Sequence, residues 1–280
     1  MSEIFSLILW PILACIVLTG IHVYFGAHVI KRGVIFVDLS LAQIAAFGST
    51  LAFLFGVELD SFTAYFLSLG FALMGALIFA MTRRRDNEIP QEAIIGIVYA
   101  VATAAAILAV ARQPEGAEHI KAILVGSVLT VSPGTVLKTA ILYAVIGALH
   151  WIWRKPIWAI TNDADVARHD GISLRLWDFL FYGSFAFVVT SSVHIVGVLL
   201  VFALLVVPGT AAIVSRIKTL SRRLAFGWIF GVIVCVAGMI ISFMADLPPG
   251  ATIVGLFGSG LFLAFLFSLV TSRMQGIKLR

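Results

Sequence analysis

Four side chains in this mostly apolar chain have the type and position to handle a cation: Asp38, Gln43, His22 and His194. Asp38 and Gln43 share the stretch KRGVIFVDLSLAQIAAFGSTLAFLFG, Lys31 to Gly56, which opens on two positive charges and then stays apolar for a bilayer's thickness. A carboxylate in hydrocarbon is costly, so it marks a functional position by default and faces protein or a watery path. Five residues of helix turn the chain through about 500°, which leaves Asp38 and Gln43 roughly 140° apart, on one helix but not on one narrow stripe. A plainer reading stays open, in which Asp38 is close enough to the end of its span to be solvated or paired with Lys31 or Arg32.

His22 lies well inside the first apolar run, and His194 stands at the head of VHIVGVLLVFALLVVPG. Neutral imidazoles with a carboxylate suit borderline divalent metals such as zinc, whereas manganese favours more oxygen. For each histidine the rival reading is a hydrogen-bonded packing role. His28 nears the end of its run, and His150 beside Trp151 and Trp153 reads as part of an interfacial aromatic belt. His119 and His169 fall in polar loops and need no ligand role.

Membrane spans must position these groups. The chain has 280 residues, 61% hydrophobic and 12% charged, with mean hydropathy +1.09. A soluble core cannot absorb that much apolar surface, whereas a bundle of helices of about 20 residues each can. The fold class is therefore all-α, a single polytopic membrane domain over 1–280. Cys15 and Cys235 both lie in apolar runs and read as packing residues rather than a disulfide or metal pair. The first run lacks a basic leading region and a small-residue cleavage site, so it is expected to remain a helix.

In order, the spans are expected at about 4–30, with a kink at Pro11, then within 31–56, and at 62–81, 93–111, 136–153, 179–192, 193–214, 224–245 and 252–270. The break between 192 and 193 is weakly marked by Ser191, Ser192 and His194, so the count is eight or nine. The segment 120–131 is too short to cross and reads as a re-entrant or surface helix ended by Ser132-Pro133-Gly134. Pro208-Gly209 is expected to interrupt a span and free backbone carbonyls, either as a broken helix of the kind transporters use or as the more common simple kink. The small-residue patterns GWIFG, Gly227 to Gly231, and GLFGSG, Gly255 to Gly260, indicate close helix packing or a dimer, as does the Ala72, Ala76, Ala80 repeat.

Charge sets orientation. One face collects Lys31, Arg32, Arg83, Arg84, Arg85, Arg154, Lys155, Arg168, Arg175, Arg216, Lys218, Arg222, Arg223, Arg273, Lys278 and Arg280, which is 16 of the 19 Lys and Arg. Arg112, Lys121 and Lys138 remain opposite. Such a bias names the cytoplasmic face, and the formal charge of +5 is not a nucleic-acid footprint. The bias also puts the polar segment TNDADVARHDGISLRLWD, Thr161 to Asp178, in the cytoplasm. There Thr161 or Asn162 can cap a short helix, Asp163 and Asp165 suit its first turn, and Gly171 suits a left-handed exit. Such a helix is either a docking element or an ordinary surface turn.

The sequence holds no glycine-rich phosphate loop, nucleophile elbow, paired-His zinc-protease helix or closely spaced Cys pair. It is therefore not read as an enzyme. If transport is driven, the energy comes from another subunit or an ion gradient.

RGVIFVDLSLAQIAAFG resembles the second-helix signature of permease subunits of zinc/manganese/iron ABC importers, the ABC-3 family. The resemblance continues through KAILVGSVLTVS, NDADVARHDGI, VGVLLVFALLVVPGTAA and DLPPGATIVGL, in family order and over nearly the whole chain. It implies a cobalamin-importer-like helical fold and a homodimer in a bacterial inner membrane, with substrate crossing at the dimer interface by alternating access. It also implies a cytoplasmic ATP-binding subunit and an extracytoplasmic metal-binding protein. A divalent metal would be the substrate, ATP would be used by the partner, and no cofactor would be permanently bound. The segment Asn162 to Gly171, with Asp163, Asp165 and Arg168, corresponds to the coupling helix. Many members carry Gly-Asp with His four residues after the Asp. Aligned on Gly48, Gln43 stands at the His position and Asp38 one residue before the Asp, a rotation of about 100°. The resemblance therefore leaves the missing imidazole to His22 or His194. One Asp38 and one His from each of two copies would surround the ion.

Two other classes remain: a gradient-driven secondary transporter or channel for a cation or small solute, and a membrane scaffold whose polar loop recruits a cytoplasmic protein. Co-purification of an ATPase bound through Thr161 to Gly171 separates the importer from both.

Overall fold

The structure, a computed structural model, describes residues 2–58, 61–83, 89–126 and 128–274. Asp60, Arg84, Arg85, Lys278 and Arg280, and the side chain of Arg273, lie outside that description. The described elements are helical: α1 Ser2–Arg32, α2 Val37–Leu54, α3 Phe62–Thr82, α4 Gln91–Val110, α5 Gly116–Val125, α6 Pro133–Ile152, α7 Arg154–Asn162, α8 Ala164–His169, α9 Leu174–Val214, α10 Leu220–Ala245 and α11 Pro249–Met274. Among the described residues eight helices are long and apolar enough to cross a membrane.

Local signals start several of them. Ser61 accepts a hydrogen bond from the Ala64 N–H at 3.2 Å, and Ser132 from the Thr135 N–H at 3.1 Å ahead of Pro133. α1 continues through Pro11.

α9 resolves the count of spans. Its 41 residues would reach about 60 Å if straight, twice a bilayer core. At Gly197 the backbone leaves the helical region, with φ 75° and ψ 164°. Asp178 near its start and Gly209 near its end both meet the last turn of α1, at Arg32 and Ile30. Gly197 instead lies against Val125 and Gly126 at the end of α5. The two limbs are therefore antiparallel, so among the described residues the eight apolar helices supply nine apolar limbs. A Cβ at Gly197 would come within 2.5 Å of the Gly126 nitrogen, and its positive φ disfavours any other residue. The turn thus falls at Gly197 rather than between Ser192 and Val193.

Pro208 and Gly209 do not break the helix. Helical geometry runs through them, and Gly197, eleven residues earlier, takes the interruption. Pro208 is buried against α10, where Gly227 and Gly231 accept its ring, while Gly209 faces Ile30. Those two α10 glycines also lie opposite Val23 and Thr19 of α1, so GWIFG is a packing seam within the chain. In GLFGSG, Gly255 and Gly258 have no neighbour among the described residues within 4 Å of a Cβ position, and Gly260 meets Phe230.

The core lies between α1, α2, α3 and both limbs of α9. Phe25 and Phe185 stack with ring centroids 4.6 Å apart, and Ala72, Ala76 and Ala80 are buried on α3. α2 is central and mostly buried, whereas α11 is mostly exposed and lies on the rim. Cys15 and Cys235 are free, buried thiols that meet between α1 and α10.

Candidate metal pathway and coupling network

Asp38 sits in the first turn of α2, wholly enclosed, and among the described residues neither carboxylate oxygen has a hydrogen-bond partner. Solvation and pairing with Lys31 or Arg32 are both excluded: Lys31 donates to the Asn162 side chain and Arg32 pairs with Asp178. A buried carboxylate without a partner must hold a proton or a cation. Gln43 is 6% exposed and lies on a different side of α2, as the spacing requires. Because Asp38 is enclosed within one chain, a site shared across two copies cannot be built on it in this conformation.

The histidines separate by tautomer. His22 Nδ1 is 2.7 Å from the Leu18 carbonyl, which can only accept, so Nε2 carries the lone pair and has no partner among the described residues. His22 is fully buried, its ring 6.5 Å from that of Tyr143, and it lines none of the cavities described below. His28 donates to Thr161 Oγ1 at 2.8 Å, because that hydroxyl gives its own proton to the Ile157 carbonyl. His150 is not an interfacial belt residue. It is 2% exposed and bridges Ser184 at 2.7 Å and Tyr24 at 3.1 Å.

His119 differs most from its expected place. α5 begins four residues earlier than the expected segment and ends at Val125, so His119 is helical and 6% exposed rather than in a loop. Its ring stacks on Phe53 at 4.6 Å, and its Nε2 is 3.3 Å from Thr50 Oγ1. That hydroxyl donates to the Ala46 carbonyl, so Nε2 carries the proton and Nδ1 the lone pair. Nδ1 is buried without a partner among the described residues, and burial holds the ring's pKa below its ordinary value, which keeps it neutral.

His119 and His194 line one cavity of about 170 Å³ towards the face opposite the basic one. Helical spacing builds it. His119, Ala122, Ile123 and Gly126 come from α5 and the glycine that ends it, and Thr190, Val193 and His194 from α9. Ser49 of α2 completes the polar lining, and the fully buried Thr190 hydroxyl has no partner among the described residues. Two histidines and two hydroxyl residues line the chamber, side-chain types that suit a borderline divalent ion with water. No three His, Cys, Asp or Glu side chains gather into a metal site among the described residues. The set thus suits transit better than retention. From the sequence His119 is expected in a polar loop without a ligand role, and Ser49 and Thr190 carry no signal at all. The signal for His119 was its i, i+3, i+4, i+7 relation to Ala122, Ile123 and Gly126.

At the basic face, α8 is six residues long and capped by Asp163, not by Thr161 or Asn162, which belong to the last turn of α7. The Asp163 carboxylate accepts from the Asp165 and Val166 N–H groups at 2.9 and 3.1 Å. Arg168 pairs with Asp165 at 3.2 Å on the surface, and Gly171 takes φ +79°. The preceding turn is clamped to the membrane helices. Arg32 donates to Thr161 at 2.9 Å and to Asp178 at 3.0 Å, stacks over Phe181 at 4.0 Å, and Arg83 reaches Asp178 at 2.6 Å. One buried carboxylate thus joins α1, α3 and α9, and Arg32 extends the link to the base of α8.

Residues 4–269 match the ABC 3 transport family. Similar proteins include a "Probable iron transport system membrane protein" of Haemophilus influenzae, 26% identical over 251 residues, which are 89% of this chain and 86% of that protein. A "Manganese transport system membrane protein MntC" of Halalkalibacterium halodurans is 26% identical over 247 residues, 87% of this chain and 81% of that protein. In structure the chain is similar to PsaBC from Streptococcus pneumoniae in complex with Fab, with TM-score 0.76 and 21% identity, covering 93% of this chain and 91% of that one. At that identity the likeness is one of fold.

Proposed function

The chain belongs to the ABC 3 transport family, and from that premise we propose that it is the permease subunit of an ATP-driven importer for a divalent transition metal, zinc, manganese or iron. Its matched relatives carry iron and manganese transport names. The observation that carries the reading is the chamber between α2, α5 and α9, which the neutral His119 and His194 both line. An ion delivered to the outer face by a metal-binding protein would exchange water for imidazole there. Asp38 and Gln43 follow on α2, nearer the basic face.

ATP would be hydrolysed by a separate cytoplasmic subunit docked on α8. A rigid α8, tied through Arg32 and Asp178 to α1, α3 and α9, would pass its movement to the helices that enclose the pathway. The proposal includes a homodimer in a bacterial inner membrane, with alternating access at its interface. The test is ATPase activity of the reconstituted complex with zinc, manganese and iron(II) added one at a time. Stimulation by at least one ion is expected, and stimulation by none overturns the reading.

One observation favours a second reading. An enclosed carboxylate without partners suits proton coupling in a gradient-driven carrier. Uptake that continues without any ATPase would select it.

A further inference from the structure

A cavity of about 300 Å³ opens between α1, α7, α9 and α10 at the basic face, remote from the imidazole chamber. Its upper wall on α1 is apolar, with Val23, Ala27 and Ile30 at i, i+4 and i+7, and Ile213 and Leu224 continue that wall. Its lower wall is cationic, with Lys31, Lys218 and Arg223. Trp158 stands beside them, an aromatic of the kind that settles at membrane interfaces.

The charges have little internal compensation. Lys31 donates to the Asn162 side-chain carbonyl, and Arg223 to the Ile217 carbonyl at 2.6 Å, both neutral oxygens. No Asp or Glu lines the cavity, and among the described residues no ion pair reaches any of the three cations. Three positive charges at the ends of membrane helices call for an anion. From Val23 to Lys31 the wall rises about 12 Å, from acyl-chain depth to headgroup depth. A free phosphate would use only the charged end, whereas a phospholipid would use both. Exposed Leu220 and Ile213 beside the cavity leave an open side towards the bilayer.

We propose that this cavity binds the headgroup and upper acyl chains of an anionic phospholipid from the leaflet on the basic face. The lipid phosphate lies among Lys31, Lys218 and Arg223, and the chains lie along Val23, Ala27 and Ile30. Seated between the end of α1 and the start of α10, it braces the turn that follows α9 and the base of α7.

The test is native mass spectrometry of the full chain in detergent, titrated with phosphatidylglycerol or phosphatidylcholine of matched acyl chains, and separately with inorganic phosphate. At about 1 kcal/mol per cation, each lost charge weakens binding about 5-fold, and two about 30-fold. Phosphatidylglycerol is expected to bind at least 5-fold more tightly than phosphatidylcholine. Lys218→Gln should lose about 5-fold, Lys218→Gln with Arg223→Gln about 30-fold, and Lys218→Arg little. Arg223→Gln also removes the bond to the Ile217 carbonyl, so Lys218→Gln, at an exposed position, carries the test alone. Equal affinity for the two lipids, or unchanged affinity in Lys218→Gln, overturns the site. Displacement of the lipid by an equal concentration of inorganic phosphate also overturns it, because the apolar wall would then contribute nothing.

Discussion

Arg32 and Asp178, 146 residues apart in sequence, lie 3.0 Å apart with side chains 2% and 0% exposed, at the point where α1, α9 and the base of α8 meet. Asp178 also holds Arg83, so the three residues do not contribute equally. Asp178→Ala leaves two guanidinium groups without their carboxylate, whereas Arg32→Ala leaves Asp178 paired with Arg83. Breaking a buried pair costs about 3–5 kcal/mol. Thermal unfolding in detergent should therefore show a larger fall in midpoint for Asp178→Ala than for Arg83→Ala, whose partly exposed side chain can reach water. The opposite order would contradict the hub.

Gly171 follows α8 in a left-handed conformation, φ +79°, with no atom of the described residues within 4 Å of where a Cβ would stand. A substitution there meets backbone strain without a clash. Gly171→Val should cost on the order of 1–3 kcal/mol locally and shift the end of α8. With permease abundance unchanged, metal-stimulated ATPase activity should fall several-fold. Full coupling in this variant would remove α8 from the docking role.

Much of the architecture was legible because apolar runs and positive charges obey the bilayer directly. The α9 turn was not. VHIVGVLLVF is uniformly apolar, so a lone Gly197 looks no different from other membrane glycines until the backbone of α5 is laid against it. Pro208-Gly209 carried the stronger local signal, yet packing against α1 and α10 holds that stretch helical. The candidate site was half legible. His194 faces the chamber, but His119 was hidden by the polar composition of RQPEGAEH. The Arg32–Asp178–Arg83 hub depends on contacts between residues 95 and 146 positions apart, which no local pattern encodes.

His119 yields a pH prediction. Burial lowers its pKa from 6.5, so the folded chain binds fewer protons there than the unfolded chain. The stability this group contributes is fully present above about pH 6.5 and declines as the pH falls through that value towards its folded pKa. Protonation also removes the Nδ1 lone pair. Zinc affinity of the outer chamber should therefore hold down to about pH 6.5 and drop on acidification below it. His119→Gln should lower affinity at the upper pH and flatten the profile. An equally steep profile in His119→Gln would assign the titration to another group.

Asp38 is enclosed without a hydrogen-bond partner, so replacing it by a neutral isostere removes no contact among the described residues. Asp38→Asn should leave the thermal midpoint unchanged or raised, while metal transport falls by at least tenfold. Transport at the unmodified rate would make Asp38 a packing residue.

The most direct measurement is uptake of radioactive zinc, manganese and iron(II) by proteoliposomes that hold the permease with its ATP-binding partner and are supplied with the metal-binding protein. The account predicts ATP-dependent accumulation of at least one ion, abolished when the partner cannot hydrolyse ATP. It also predicts at least tenfold weaker accumulation in His119→Ala with His194→Ala at equal permease level. Accumulation of none of the three ions, or accumulation that persists without ATP hydrolysis, would contradict it.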